Sequence, residues 1–379
     1  MEKYIHYGHQ LIDEDDIQAV VDTLRGDYLT TGPKIQEFEK ALCEVTGAKY
    51  CVVVSNGTAA LHAACFAAGI TKEDEVITTP MTFAASANCA LYVGARPVFA
   101  DICPDTYNID PQQIEKNITN KTRAIIPVHF TGQPCDMDAI TKIAKKNNLI
   151  VIEDAAHALG AKYNNKKIGS ISDMTTFSFH PVKHITTGEG GAVTTNDESL
   201  YQKLLLFRSH GITRNPELMN KNEGGWYYEQ LELGYNYRMT DIQAALGISQ
   251  LKKLQLFIEK RRHIVEKYNH SFNRLEYIKI PKINKKSYSS WHLYVIKIAK
   301  ELSRKKVYDK MQELGIGVNV HYVPVYKHPY YQKLGYKSGL CPAAEELYEK
   351  MITLPIHHGM NDEDIERVIN AVSKINSLT

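Results

Sequence analysis

Apolar and polar positions divide the chain into two stretches of different rhythm. Between about residues 48 and 206, short β-branched runs alternate with segments of helical periodicity. The runs fall at 50–54, 75–78, 97–100, 123–128, 149–152, 175–178 and 191–195, and most are apolar on both alternating faces. A strand apolar on both sides needs cover on both sides, so these runs predict a sheet buried between helices. The intervening patterns at 59–68, 136–145 and 198–207 supply the candidate helices. Such alternation points to an α/β fold with a mainly parallel sheet.

The rhythm changes near Thr240. Residues 241–269 read as one long amphipathic helix, with Ile242, Leu246, Ile248, Leu251, Leu254 and Ile258 recurring mostly at three- and four-residue steps. Beyond it the pattern is α+β: a strand at 291–298, a helix at 303–314, a strand at 317–322 and a closing helix at 362–377, capped by Asn361 or Asp362. A chain of 379 residues exceeds a usual single core. The expected division is a large unit over residues 1–250 and a smaller α+β unit over 251–379.

Composition narrows the function classes. A formal net charge of +2 gives no electrostatic reason to expect nucleic acid or an acidic membrane as partner. No apolar run approaches the roughly 18 residues a spanning helix needs, and the N-terminus carries no apolar signal core. Seven cysteines are scattered without a C-x-x-C pair, which suits buried thiols in a reducing compartment. A cytoplasmic protein without a metal site is expected.

Three segments carry candidate chemistry. Ser55-Asn56-Gly57-Thr58 lies between an apolar strand and a helix, where Gly57 permits close backbone approach and the free N–H groups of the first turn suit a phosphate. The same turn is also common as plain structure. Val151-Ile-Glu-Asp-Ala-Ala-His157 is an apolar strand ending in acids, at the edge where open α/β sheets place ligands. Strand alternation sends Glu153 and Asp154 to opposite sides, and periodicity does not say which acid faces a crevice. In Thr176-Phe-Ser-Phe-His-Pro-Val-Lys183, a lysine follows a strand and Pro181, and a glycine-rich return to Gly191 comes after it. Rigid surroundings of this kind suit an amine whose nucleophilic position must be set in advance.

The segment from Ser178 to Gly191 resembles the cofactor-lysine motif of the DegT-type sugar-nucleotide aminotransferases, which have the aspartate-aminotransferase (type I) fold. Supporting matches run in order along the chain: Ser55-Asn-Gly-Thr58, Thr79-Pro-Met-Thr-Phe83, Glu153-Asp-Ala-Ala-His157, Gly234-Tyr-Asn-Tyr-Arg-Met-Thr240 and Leu354-Pro-Ile-His357. The resemblance implies pyridoxal 5′-phosphate as cofactor, with Lys183 joined to it covalently and later shuttling a proton. It implies that Asp154 pairs with the pyridine N–H, that Phe83 stacks on the ring, and that Gly57, Thr58 and Ser178 hold the phosphate. His157 would lie near the cofactor hydroxyl. Asn236 would reach the phosphate in a neighbouring subunit, so the resemblance also implies a homodimer with shared sites.

Tyr7-Gly-His-Gln-Leu-Ile-Asp13, Asp27-Tyr-Leu-Thr-Thr-Gly32, Phe207-Arg-Ser-His-Gly211 and His321-Tyr-Val-Pro-Val-Tyr326 are similar to the branch of this family that serves pseudaminic acid biosynthesis. That branch takes an amino group from L-glutamate to C4 of a UDP-linked 4-keto-6-deoxy-N-acetylhexosamine. By the same resemblance Tyr7, Asp27, Tyr28, Leu29 and Thr30 would line the sugar-nucleotide pocket, together with His321, Tyr322, Val323 and Pro324. Within enzymes, sugar-nucleotide dehydration on this fold goes with a histidine at the cofactor-lysine position, and here the residue is Lys183. A ligand-binding regulator on the same scaffold would have no need of Lys183 and Asp154. A nicotinamide-dependent dehydrogenase is disfavoured because no G-x-G-x-x-G follows a strand.

Overall fold

The computed structural model describes residues 4–375. The last residues of the expected closing helix therefore lie outside the described residues; within them the helix is Asp362–Ser373, with Asn361 as N-cap in a capping box with Asp364.

All seven apolar runs enter one sheet. Its order is Tyr50–Val54, Gly191–Thr195, Met174–Ser178, Ile150–Asp154, Thr122–Ile126, Glu75–Thr78 and Arg96–Phe99. Gly191–Thr195 alone runs against the others, pairing antiparallel with both neighbours, while the remaining pairs are parallel. This is the mainly parallel α/β sheet expected from the alternation, and the resemblance to type I aminotransferases implies the same architecture. Buried residues from Tyr50–Val54 itself go to two cores, Cys51 and Val53 to one and Val52 and Val54 to the other. Both faces are thus covered, as doubly apolar strands require. The helix Gly57–Ala67 is alanine-rich and buried nearly all round, so a good helix former of small volume lies close against the sheet.

The expected 241–269 helix is instead two, Asp241–Leu251 and Leu254–Phe272. The break falls at Lys252 and Lys253, where Lys253 turns back to Asp13 and Asp16 at 2.6 and 2.7 Å. It lets Leu251 and Leu254 both enter the core of the large sheet. Ile258 still belongs to that core, whereas Ile264, Val265 and Tyr268 pack into the second, around the sheet of Ile278–Lys279, Tyr294–Ile298 and Met351–Leu354. We propose that the division expected at 250/251 is a shared helix, Leu254–Phe272, serving both units.

The strand expected at 317–322 does not form. Asn319 exchanges backbone bonds with Thr353, but its own side-chain oxygen then takes the Val320 N–H at 2.8 Å, so no ladder propagates. No helix among the described residues is long and apolar enough to cross a membrane.

Candidate active site

A cavity of about 990 Å³ opens where the carboxyl ends of the large sheet meet residues from the C-terminal unit. It is bordered by the strand ends at Asn56, Asp154 and Ser178, and by His292 and Tyr322 from the other side.

The first wall is a helix start. Asn56 caps Gly57–Ala67 by accepting the Ala59 N–H at 2.8 Å, which leaves the N–H groups of Gly57 and Thr58 without carbonyl partners from the helix. A Cβ on Gly57 would stand 2.8 Å from Ser178 Cβ and 3.1 Å from its Oγ. Only glycine lets the turn and the strand end approach this closely, and the result is a concave cradle of two N–H groups and the Thr58 and Ser178 hydroxyls. That donor set suits a phosphate.

The two acids separate as alternation requires. Asp154 faces the cavity, its Oδ2 accepting from Ser86 Oγ at 2.6 Å and its Oδ1 from the Ala156 N–H at 3.1 Å. Both oxygens of the side chain are thereby held in place. Glu153 points to the opposite face, fully buried, 2.7 Å from His129 Nε2 and 3.1 Å from Thr175 Oγ1. Because the Cys135 N–H donates to His129 Nδ1, the ring proton sits on Nε2 and points at Glu153.

Lys183 projects from a tightly tied loop. Phe179 pairs with Gly190 through its N–H and with Thr187 through its carbonyl, and Thr186 Oγ1 bonds the same carbonyl. Burial pushes the Lys183 amine down to about 8; the Asp154 charge opposes this and Arg261 adds to it.

Around the lysine is a wall of neutral imidazoles. His157 Nε2 lies 3.2 Å from the Tyr322 hydroxyl, its Nδ1 is buried without a partner, and burial, then Lys183, hold its pKa well below the usual value. His321 is pushed down to about 3 by burial and by Lys183. Both its nitrogens are engaged, Nδ1 with Thr353 Oγ1 at 2.9 Å and Nε2 with Asn319 Nδ2 at 3.4 Å. His321 is therefore a wall, its ring tilted against that of Tyr7 at 5.3 Å between centroids, and has no free nitrogen for acid–base work. Phe83 borders the same cavity with 63% of its surface exposed, its ring tilted against that of Tyr322 at 6.3 Å between centroids.

The structure thus brings together Tyr7, Gly57, Thr58, Phe83, Asp154, His157, Ser178, Lys183, His321 and Tyr322. It does not bring the other expected residues to this cavity. Asn236 is exposed, although its neighbours Tyr235 and Tyr237 line the wall. Asp27 and Tyr28 border a different cleft, between helices Glu14–Arg25 and Asp241–Leu251. The Leu29 carbonyl takes the Asp241 N–H and Thr30 bridges Thr240, which fixes that turn away from the lysine. Val323 and Pro324 lead into a contact of Val325 with Pro80 and stand outside the lining. Sequence reasoning missed Ser86 and His292. Ser86 lay three residues past Phe83 in a helical spacing, and His292 was a lone histidine heading an apolar strand.

Residues 10–373 match the model of the DegT/DnrJ/EryC1/StrS aminotransferase family. The Campylobacter jejuni UDP-4-amino-4,6-dideoxy-N-acetyl-β-L-altrosamine transaminase is 43% identical over 376 residues, covering 98% of this chain and 97% of the relative. The Bacillus subtilis spore coat polysaccharide biosynthesis protein SpsC is 42% identical, over 98% and 97%. Among solved structures, Helicobacter pylori PseC, an aminotransferase involved in the biosynthesis of pseudoaminic acid, superposes with a TM-score of 0.92 at 36% identity, over 99% of this chain and all of that one.

Proposed function

The chain belongs to the DegT/DnrJ/EryC1/StrS aminotransferase family, whose cofactor is pyridoxal 5′-phosphate, and from that premise we propose that it moves the amino group of L-glutamate to C4 of a UDP-linked 4-keto-6-deoxy-N-acetylhexosamine for pseudaminic acid. The observation that carries this reading is the meeting, in one cavity, of a depressed lysine amine, a carboxylate fixed by two donors and a glycine-built phosphate cradle. The cavity's donor set fits the cofactor: Gly57, Thr58 and Ser178 at the phosphate, Asp154 at the pyridine nitrogen, the exposed Phe83 face on the ring and His157 beside the hydroxyl.

When bound, the cofactor supplies an electron sink for the carbon that loses its proton. The chain supplies the rest. Lys183 would hold the cofactor through its amine and, when that amine is free, would carry a proton at the reacting carbon. Asp154, oriented by Ser86 and the Ala156 N–H, would face the ring nitrogen and favour its protonated form. Tyr7, His321 and Tyr322 wall off one side and exclude water.

The same reading makes the protein a cytoplasmic homodimer. No arginine lines the cavity among the described residues, and Lys183 is its only lysine, so further cations and donors for the phosphates of a sugar nucleotide must come from a second copy. Asn236, which is exposed, would be such a donor. Asp27, Tyr28, Leu29 and Thr30, tied to Thr240 close by, would serve the partner's pocket with it.

The test is incubation with L-glutamate and a panel of UDP- and dTDP-linked keto sugars, with products identified by mass and NMR. A 4-amino product from the N-acetylated UDP sugar is expected from the wild type and none from Lys183→Ala. Success on a dTDP sugar with failure on every N-acetylated UDP sugar would refute the substrate and leave the enzyme class standing.

A further inference from the structure

The Lys183 amine has a neighbour to which no role has yet been given. His292 Nε2 stands 3.4 Å from Lys183 Nζ. The histidine ring is 4% exposed, packed 4.4 Å from His157 and 5.7 Å from His184 between centroids. Its Nδ1 is buried and has no hydrogen-bond partner. A buried N–H left unpaired costs more than a bare ring nitrogen, so the proton belongs on Nε2, aimed at the lysine. Burial, then Lys183 and the two other histidines, keep this ring uncharged.

The backbone that carries His292 is held unusually firmly. Arg261 is fully buried, and its Nη1 donates to the carbonyls of Trp291, His292 and Ile356 at 3.2, 3.1 and 2.9 Å. From the other side, the Ser290 N–H bonds the Gly132 carbonyl and the Leu293 N–H bonds that of Thr131. A Cβ on Gly132, itself at φ +95°, would collide with Trp291 N and His292 N at 2.8 and 2.9 Å. Trp291 is held at φ +53°, in the left-handed region that bulky residues avoid. A buried guanidinium and a glycine contact thus converge on Trp291 and His292 and set an imidazole beside an amine. Packing alone requires none of this, since an apolar side chain would fill the same space without an orphaned nitrogen.

We propose that His292 is a positioning residue for Lys183: its Nε2–H donates to the lone pair of the neutral amine when that amine is not joined to the cofactor, and holds it aimed for return. The inference rests on the reading of Lys183 as the cofactor-linked residue. It assigns to the C-terminal unit a part in every turnover, because His292 lies two residues before the strand Tyr294–Ile298 of the smaller sheet.

The test uses the full-length chain freed of cofactor, as wild type, His292→Leu and His292→Gln. The glutamine amide can place a donor near the position of Nε2; leucine cannot. Appearance of the yellow linked form at saturating pyridoxal 5′-phosphate gives the first-order joining step, and titration with pyridoxamine 5′-phosphate, which does not join to the lysine, reports cavity integrity. Borohydride reduction and peptide mapping locate the label. His292→Leu should slow joining about tenfold or more, with pyridoxamine-phosphate affinity unchanged and His292→Gln restoring most of the rate. Unchanged joining in His292→Leu, an equal loss in His292→Gln, or a parallel loss of pyridoxamine-phosphate affinity would overturn the proposal while leaving a label on Lys183 intact. A wild-type label found elsewhere than Lys183 would overturn the cofactor assignment itself, and the inference with it.

Discussion

Gly57→Ala tests the phosphate cradle through a single added methyl. The new Cβ would stand 2.8 Å from Ser178 Cβ, when ordinary contact begins at about 3.4 Å, so the helix start and the strand end must part by roughly 0.6 Å or more. The strand end cannot follow freely, because Ser178 is paired with Gly191 in the sheet. The helix start therefore moves, and its first N–H groups lose alignment with whatever they bind. One charge-assisted hydrogen bond is worth about 1.5–3 kcal/mol, which predicts a Kd for pyridoxal 5′-phosphate weaker by about 10- to 150-fold. Absorbance titration measures the Kd, and circular dichroism checks that the fold persists. The steric origin has its own control: Ser178→Gly removes the atom that is struck, so Gly57→Ala should cost less affinity in that background than in the wild type. Wild-type affinity in Gly57→Ala, or strictly additive losses in the double variant, would refute the clash.

Three further outcomes follow from the geometry. The cofactor-joining rate of the wild type should rise with pH to a midpoint near 8, because the neutral amine is the nucleophile and burial has lowered its pKa; a midpoint near 10, ordinary for lysine, would show that the amine is not desolvated. Asp154→Asn should cut turnover by about 100-fold or more without unfolding, and should move that midpoint below 8, since the Asp154 charge is what raises the amine; an upward move would contradict the contact. His129→Ala leaves a fully buried Glu153 oxygen without its donor, so thermal or denaturant unfolding should reveal a loss of about 1–3 kcal/mol, and a variant of wild-type stability would show that the His129–Glu153 contact contributes nothing.

The large sheet was legible because its runs are apolar on both faces, a pattern that only a doubly covered strand makes stable, and all seven runs became its strands. What escaped was decided by single side chains acting on the backbone. The helical periodicity carried through Lys252 and Lys253 without a glycine or proline to mark the break, which arises from ion pairs to Asp13 and Asp16 more than 230 residues away. The strand expected at 317–322 had the right alternation, but Asn319 satisfies the next N–H itself. Neither event leaves a trace in local pattern.

The site divides along the same line. Alternation alone established that Glu153 and Asp154 part company, yet which acid meets the cavity depends on which face of the sheet carries His129 and which carries Ser86, and these come from different segments. Lys183 stood out because its rigidity is local, written in Pro181 and the glycines after it. His292 did not, because its rigidity is assembled at a distance: Arg261 from a helix, Gly132 from a loop of the large unit, and Ser290 between them. A residue that is positioned by long-range contacts looks, in sequence, like any buried histidine. Functional groups of this second kind are therefore the ones that a motif cannot expose, and they are found by asking why a buried polar atom lacks a partner on one side and has a reactive amine on the other.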